Sequence, residues 1–207
     1  MGRPEADDAR LNAMRQLGNG LYGAGHHKDA LSVREAELAM MRRLGAPEDS
    51  ILVVQSNLAT TYSHMGRFED ALRTMRDVYS GRLKLNGEEN EMTLVAANNY
   101  ANLLQRFGRH EEASSLMRKI IPVARRIIGE TKITTLRIRW LYALALSKDQ
   151  AATLDDLRES VATLEDVAPL WTRIFGEAHP ETPNIKNALR EARKALAARA
   201  AASSGAA

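Results

Sequence analysis

The sequence predicts an all-α fold, a right-handed α-α superhelix (solenoid) of stacked helical hairpins, and three observations carry that prediction. The composition is helical: of 207 residues 44% are apolar, only 5% are aromatic and six are proline, with Ala, Leu, Met and Arg prominent. Such side chains lose little freedom in a helix. A period of 42 runs through the chain, because Gly45, Gly87 and Gly129 are evenly spaced, as are Asn57 and Asn99, Gly66 and Gly108, Ala71 and Ala113, and Ala59, Ala101 and Ala143. Residues 45–86 laid on 87–128 without a gap share 11 identities in 42 positions, the mark of a repeat array. Within each period the apolar residues step by three and four, the spacing of one helix face.

A first hairpin is expected at about residues 6–44, since Gly18, Gly25 and Ala30 precede Ala59, Gly66 and Ala71 by 41. The second, about 50–86, opens with the stripe Ile51, Val54, Leu58, Tyr62 and Met65, turns at Gly66, and continues with Ala71, Met75 and Val78. The third, about 91–128, repeats this as Thr93, Ala96, Tyr100, Leu104 and Phe107, a turn at Gly108, then Ala113, Met117 and Ile120. Small residues at 59, 71, 101 and 113 are packing positions where the two helices approach closely. The fourth hairpin, about 132–175, departs from the rule: Ser147-Lys148-Asp149-Gln150 replaces the glycine turn, and Gly176 lies 47 rather than 42 beyond Gly129. Five extra residues therefore sit near that turn, with Thr153 as an N-cap. Pro122, Pro169 and the nearly equivalent Ser80-Gly81 are expected to bend the second helices.

A capping helix is expected at about 181–200, with Arg190 at the position of Ala59, Ala101 and Ala143. A bulky charge there leaves no room for a further packed helix. Residues 1–200 then form a single array and 201–207 a disordered tail, and the Met1-Gly2 start on a glycine-rich first hairpin permits the chain to be part of a longer protein.

Several functions are excluded on chemical grounds. Without cysteine there are no disulfides, thiolate metal sites or cysteine nucleophiles, which fits a reducing, cytoplasmic setting. The start lacks a signal-peptide core, and no stretch approaches the ~18 apolar residues of a membrane span. Gly18-Asn19-Gly20-Leu21-Tyr22-Gly23 matches G-x-G-x-x-G, but Arg10 to Leu17 before it is polar and helix-like rather than a strand. His26, His27, His64, His110 and His179 show no zinc spacing. Glu69-Asp70 and Glu111-Glu112 recur with the repeat at helix starts, where acids suit the helix dipole. No catalytic residues, metal or cofactor are therefore expected. Seven basic residues between Arg118 and Arg139 face one acid, Glu130, but they lack interleaved aromatics and four lie on a second helix, so nucleic acid is not expected.

The string Thr93-Leu94, Asn98-Asn99-Tyr100-Ala101, Gly108-Arg109-His110-Glu111-Glu112-Ala113 and then Gly129 resembles the 42-residue tetratricopeptide repeats of kinesin light chains and their relatives. His179-Pro180-Glu181-Thr182 is similar to that family's inter-repeat string, and the resemblance covers roughly residues 10 to 195. It implies a non-catalytic scaffold that recognises a peptide through side chains of the first helix of each hairpin. One step round those helices from the packing stripe stand Ser56, Asn57 and Thr60, then Asn98, Asn99, Asn102 and Arg106, then Arg137, Trp140 and Lys148. Side-chain amides bond a peptide backbone whatever its sequence, cations meet carboxylates and Trp140 supplies an apolar anchor. Asn57 and Asn99 serve either the groove or bonds between helices. The expected partner is an extended acidic peptide. The alternative is an interaction subunit that docks a folded partner or a second copy through its convex or terminal surface, for which Trp171 and Phe175 are the residues to inspect.

Overall fold

A computed structural model describes residues 4–204, and those residues hold nine helices and no strand. The chain divides into two compact units, Met1–Gly87 and Glu88–Ala207. The N-terminal unit holds α1 (Pro4–Gly23), α2 (His27–Arg43), α3 (Glu48–His64) and α4 (Phe68–Asn86), each packed on the next. The C-terminal unit holds α5 (Glu91–Arg106), α6 (His110–Ile127), α7 (Ile133–Lys148), α8 (Leu154–Phe175) and α9 (Thr182–Ser204). Sequential helices again pair there, and α5 touches α7 while α7 touches α9. Contacts between neighbours and next-but-one neighbours are what a helical-repeat solenoid requires, and all-α is the fold class.

The predicted packing positions are closed. Ala59, Ala71, Ala101, Ala113 and Ala143 are all at 0% exposure, as small residues at a close helix approach require. In the N-terminal unit Leu11, Leu31, Met40, Met41, Val54 and Leu58 join into one core under α1, α2 and α3. In the C-terminal unit Leu136, Val167, Ala168, Trp171 and Ile185 form one cluster and Ala143, Val161, Leu164, Ala188 and Ala192 another. Gly66 and Gly108 turn the chain at φ 74° and 76°, a left-handed conformation that costs any other L-residue about 1–2 kcal/mol. The fourth hairpin has no such residue and ends α7 on Asp149 in extended backbone, φ −70° and ψ 123°.

The expected insertion lies where the sequence put it. Thr153 caps α8 in a capping box, its hydroxyl accepting from the Asp156 amide at 3.1 Å while the Asp156 carboxylate accepts from the Thr153 amide at 2.9 Å. Arg199 of α9 adds what the sequence does not announce: its guanidinium donates to the carbonyls of Ala152 (2.8 Å) and Gln150 (3.2 Å). The capping helix thus clasps the extra residues. It also runs on to Ser204, so residues 201–204, expected in a disordered tail, are helical; residues 205–207 lie outside the described residues. Arg190 is exposed on α9, while Ile185, Ala188 and Ala192 on its other face are buried.

Gly81, expected to mark a bend, lies inside α4, and a methyl there would stand 2.7 Å from Cδ2 of Leu52. Close approach of α4 to α3 is what it permits. Two buried arginines lock the hairpins further. Arg82, 2% exposed, pairs with the Asp49 carboxylate and donates to its carbonyl at 3.1 Å. Arg139, 3% exposed, holds Glu130 at 2.9 Å and Asp166 together.

Candidate functional site

The first helices α5, α7 and α9 lie side by side in the C-terminal unit, and repeat spacing puts their side chains level with one another. Asn98 of α5 is level with Trp140 of α7 and Asn187 of α9; Asn102 with Leu144 and Glu191; Arg106 with Lys148. Asn102, Arg106 and Lys148 are exposed, Asn98 and Asn99 half-buried. The Asn98 side-chain amide oxygen Oδ1 is shut off from water and has no hydrogen-bond partner among the described residues. Trp140 is half-buried, with its Nε1 likewise closed off and unpartnered. Its ring packs among Leu136, Leu144 and Leu189 and lines a cavity of about 250 Å³ with Leu144, Ser147, Lys148, Asn184 and Glu191. A second cavity of about 490 Å³ reaches from Lys148 across His110 and Glu111 to Gly108. Burial, and then the nearby Lys148 ammonium, push the His110 imidazole below its ordinary pKa.

Arg137 departs from the expectation of a free cation. Its Nε donates to Glu181 at 3.0 Å, so α7 and the turn before α9 are joined by that ion pair. Glu181 is itself held within the His-Pro-Glu-Thr string, where the His179 ring accepts from the Glu181 amide at 3.2 Å.

In the N-terminal unit Ser56, Asn57 and Thr60 make contacts within that unit. The Ser56 hydroxyl lies 4.0 Å from the Met75 sulfur, and Thr60 donates to the Ser56 carbonyl at 3.1 Å. The Asn57 carbonyl accepts from Arg34 and from Thr61, both at 2.9 Å. Arg34, 4% exposed, also reaches Asn19 at 3.1 Å and lies over the Tyr22 ring. Gly18 makes room for it, because a methyl at 18 would sit 3.3 Å from Arg34 Cγ. The G-x-G-x-x-G string is therefore continuous helix, with no phosphate loop in it.

Histidines come together where spacing gave no hint. His27 and His64 have ring centroids 5.2 Å apart, each next to Tyr22 at 5.1 and 5.3 Å, because the start of one second helix meets the end of the following first helix. No three histidine or carboxylate groups among the described residues are placed to hold a metal. The repeated acids are held in local ion pairs, Asp70 by Arg67 and Arg73 and Glu112 by Arg109. Five of the seven cations in the basic run are also paired: Arg118 with Asp156 and Glu159, Arg125 with Glu130, Arg126 with Glu89, Arg137 with Glu181, and Arg139 with Glu130 and Asp166. Trp171 is at 0% exposure against Phe175 and His179, so it forms no exposed patch. No described helix is long and apolar enough to cross a membrane.

Comparison with known proteins agrees with this architecture. Among solved structures the chain is similar to the kinesin-light-chain-type protein of Podosopora anserina with nearly identical TPR-like repeats, at 21% identity and a TM-score of 0.75, covering 99% of this chain and 93% of that one. BtubC (BKLC) from P. vanneervenii is similar at 13% identity and a TM-score of 0.61, covering 94% of this chain and 89% of that one. No curated protein matches the sequence. Residues 9–84 and residues 93–131 each match a tetratricopeptide repeat profile. Those two stretches span more than half of the chain, which belongs to the tetratricopeptide-repeat family.

Proposed function

We propose that the chain is a non-catalytic protein-interaction scaffold that binds an extended acidic segment of a partner along the face formed by α5 and α7. The observation that carries this reading is a contrast in charge. Most cations of the basic run are neutralised by carboxylates of the chain itself, whereas Arg106 and Lys148 are exposed and form no ion pair among the described residues. Beside them stand Asn98, Asn99 and Asn102, whose amides can bond a peptide backbone. A charged hydrogen bond contributes about 1.5–3 kcal/mol when desolvated and less at an open surface. Selection from a random dodecamer display library tests the reading. Acidic sequences should be enriched on the parent protein and lost on an Arg106→Glu, Lys148→Glu variant; enrichment without acids, or no loss in the variant, refutes it.

A second reading, docking of a folded partner or a second copy, is favoured by one observation. Leu44, Leu85, Ile127 and Ile174 are 40–48% exposed and fall at one repeat position, the end of each second helix. Each unit carries two of them. Scattered exposed aliphatics need no explanation, but recurrence at one repeat position gives each unit the same exposed pair. Changing all four to serine should abolish concentration-dependent association in sedimentation if this edge joins copies. An unchanged sedimentation profile would remove this reading.

A further inference from the structure

We infer that the cavity between α7 and α9 is an anchor pocket for one aliphatic side chain of the bound segment, with a carboxylate on a neighbouring residue held by Lys148. The inference rests on the acidic-segment reading and adds a specificity element to it. Three features of the cavity converge. Its apolar wall is made by Trp140, Leu144 and Ala188, and its volume of about 250 Å³ is below the 300–1,000 Å³ range of small-molecule sites, so it suits one side chain rather than a cofactor. Trp140 is fixed from behind by the two cores of the C-terminal unit, which makes its ring a rigid surface; buried aromatics of this kind act as binding anchors.

Charge then orients the occupant. Lys148 stands exposed at one end. Its neighbour Asp149 is turned away, accepting from the Ala151 amide at 2.9 Å. The one acid of the lining, Glu191, is already shared by Lys194 at 3.1 Å and Arg190 at 3.6 Å. Arg190 also donates to the Asn187 side-chain amide oxygen Oδ1 at 2.5 Å. Cations therefore outnumber acids around the pocket, and a lysine or arginine entering it would meet a carboxylate that two cations already hold. Arg137, one turn before Trp140 on α7 and outside the lining, is satisfied by Glu181, which leaves Lys148 as the partner for an incoming carboxylate.

The test uses three capped, fluorescein-labelled heptapeptides in which two glutamates flank a central leucine, alanine or lysine, titrated against the intact chain by anisotropy. The leucine peptide should bind about tenfold more tightly than the alanine peptide, the scale of filling a small apolar pocket. Asn184→Trp, which adds bulk at an exposed rim position, should erase that preference without unfolding the chain. Lys148→Glu should weaken both peptides and keep their ratio. If leucine and alanine peptides bind equally and Arg106→Glu weakens both, the anchor pocket is refuted while the acidic-segment reading stands. If the lysine peptide binds best, the assigned charge of the occupant is wrong. If no peptide binds, the acidic-segment reading falls and the pocket with it.

Discussion

Ala101→Arg places the largest strain on the repeat register. Ala101 is at 0% exposure in α5, at the repeat position of Ala59 and Ala143. A guanidinium there is oversized, which costs about 1–3 kcal/mol, and an uncompensated buried charge adds about 3–5 kcal/mol. The total approaches the whole stability of a domain this size, about 5–15 kcal/mol, and at about 2–4 °C per kcal/mol the melting temperature should fall by about 10 °C or more. Ala101→Met separates the two contributions, since it keeps the overpacking and removes the charge; a loss of about 1–3 kcal/mol is expected. Arg190→Ala, at the corresponding but exposed position of α9, should change stability by no more than about 0.5 kcal/mol. Thermal melts followed by circular dichroism measure all three. If Ala101→Arg melts within about 2 °C of the parent, the assignment of Ala101 to the closest helix approach is wrong.

Gly108→Ala should cost about 1–2 kcal/mol in chemical denaturation, because φ is 76° there, whereas an unchanged midpoint would mean that the turn relaxes freely. Thr153→Ala should cost about 1 kcal/mol by removing the α8 cap, read from the same melts. Asp156 is held below the ordinary carboxylate pKa by its bonds to the Thr153 hydroxyl and amide, so its contribution is complete above the unfolded value and is lost as pH falls through the lower folded value. A carboxyl titration by NMR should show that depressed midpoint, and Thr153→Ala should raise it. Amides of residues 10–24 should exchange faster than those of 93–107, because Gly18, Gly20 and Gly23 weaken α1; equal protection would contradict this.

Periodicity made the hairpins legible because a repeat states each structural demand several times. Gly66 and Gly108 recur since the turn needs a left-handed residue, and Ala59, Ala101 and Ala143 recur since the helices touch there. Features that occur once carry no such signal. Arg199 clasping the insertion, Arg34 filling the space over Gly18, and Glu181 occupying Arg137 depend on contacts across 47, 16 and 44 residues, which no local pattern reports. The same limit applies at the candidate site. Helix phase makes the exposure of Asn102, Arg106 and Lys148 on α5 and α7 legible in the sequence. The pocket beside Trp140 is not legible there, because its far wall is made by Asn184 and Glu191 of α9, which the sequence marks only as part of a capping helix.

Selection of an acidic partner by Arg106 and Lys148 is tested by the salt dependence of binding for acidic and basic peptide pools, on the parent protein and on an Arg106→Glu, Lys148→Glu variant. The parent should prefer the acidic pool, this preference should weaken between low and physiological salt as the charges are screened, and the variant should reverse it. Equal affinity of the parent for both pools, or a variant that still prefers acid, would contradict it.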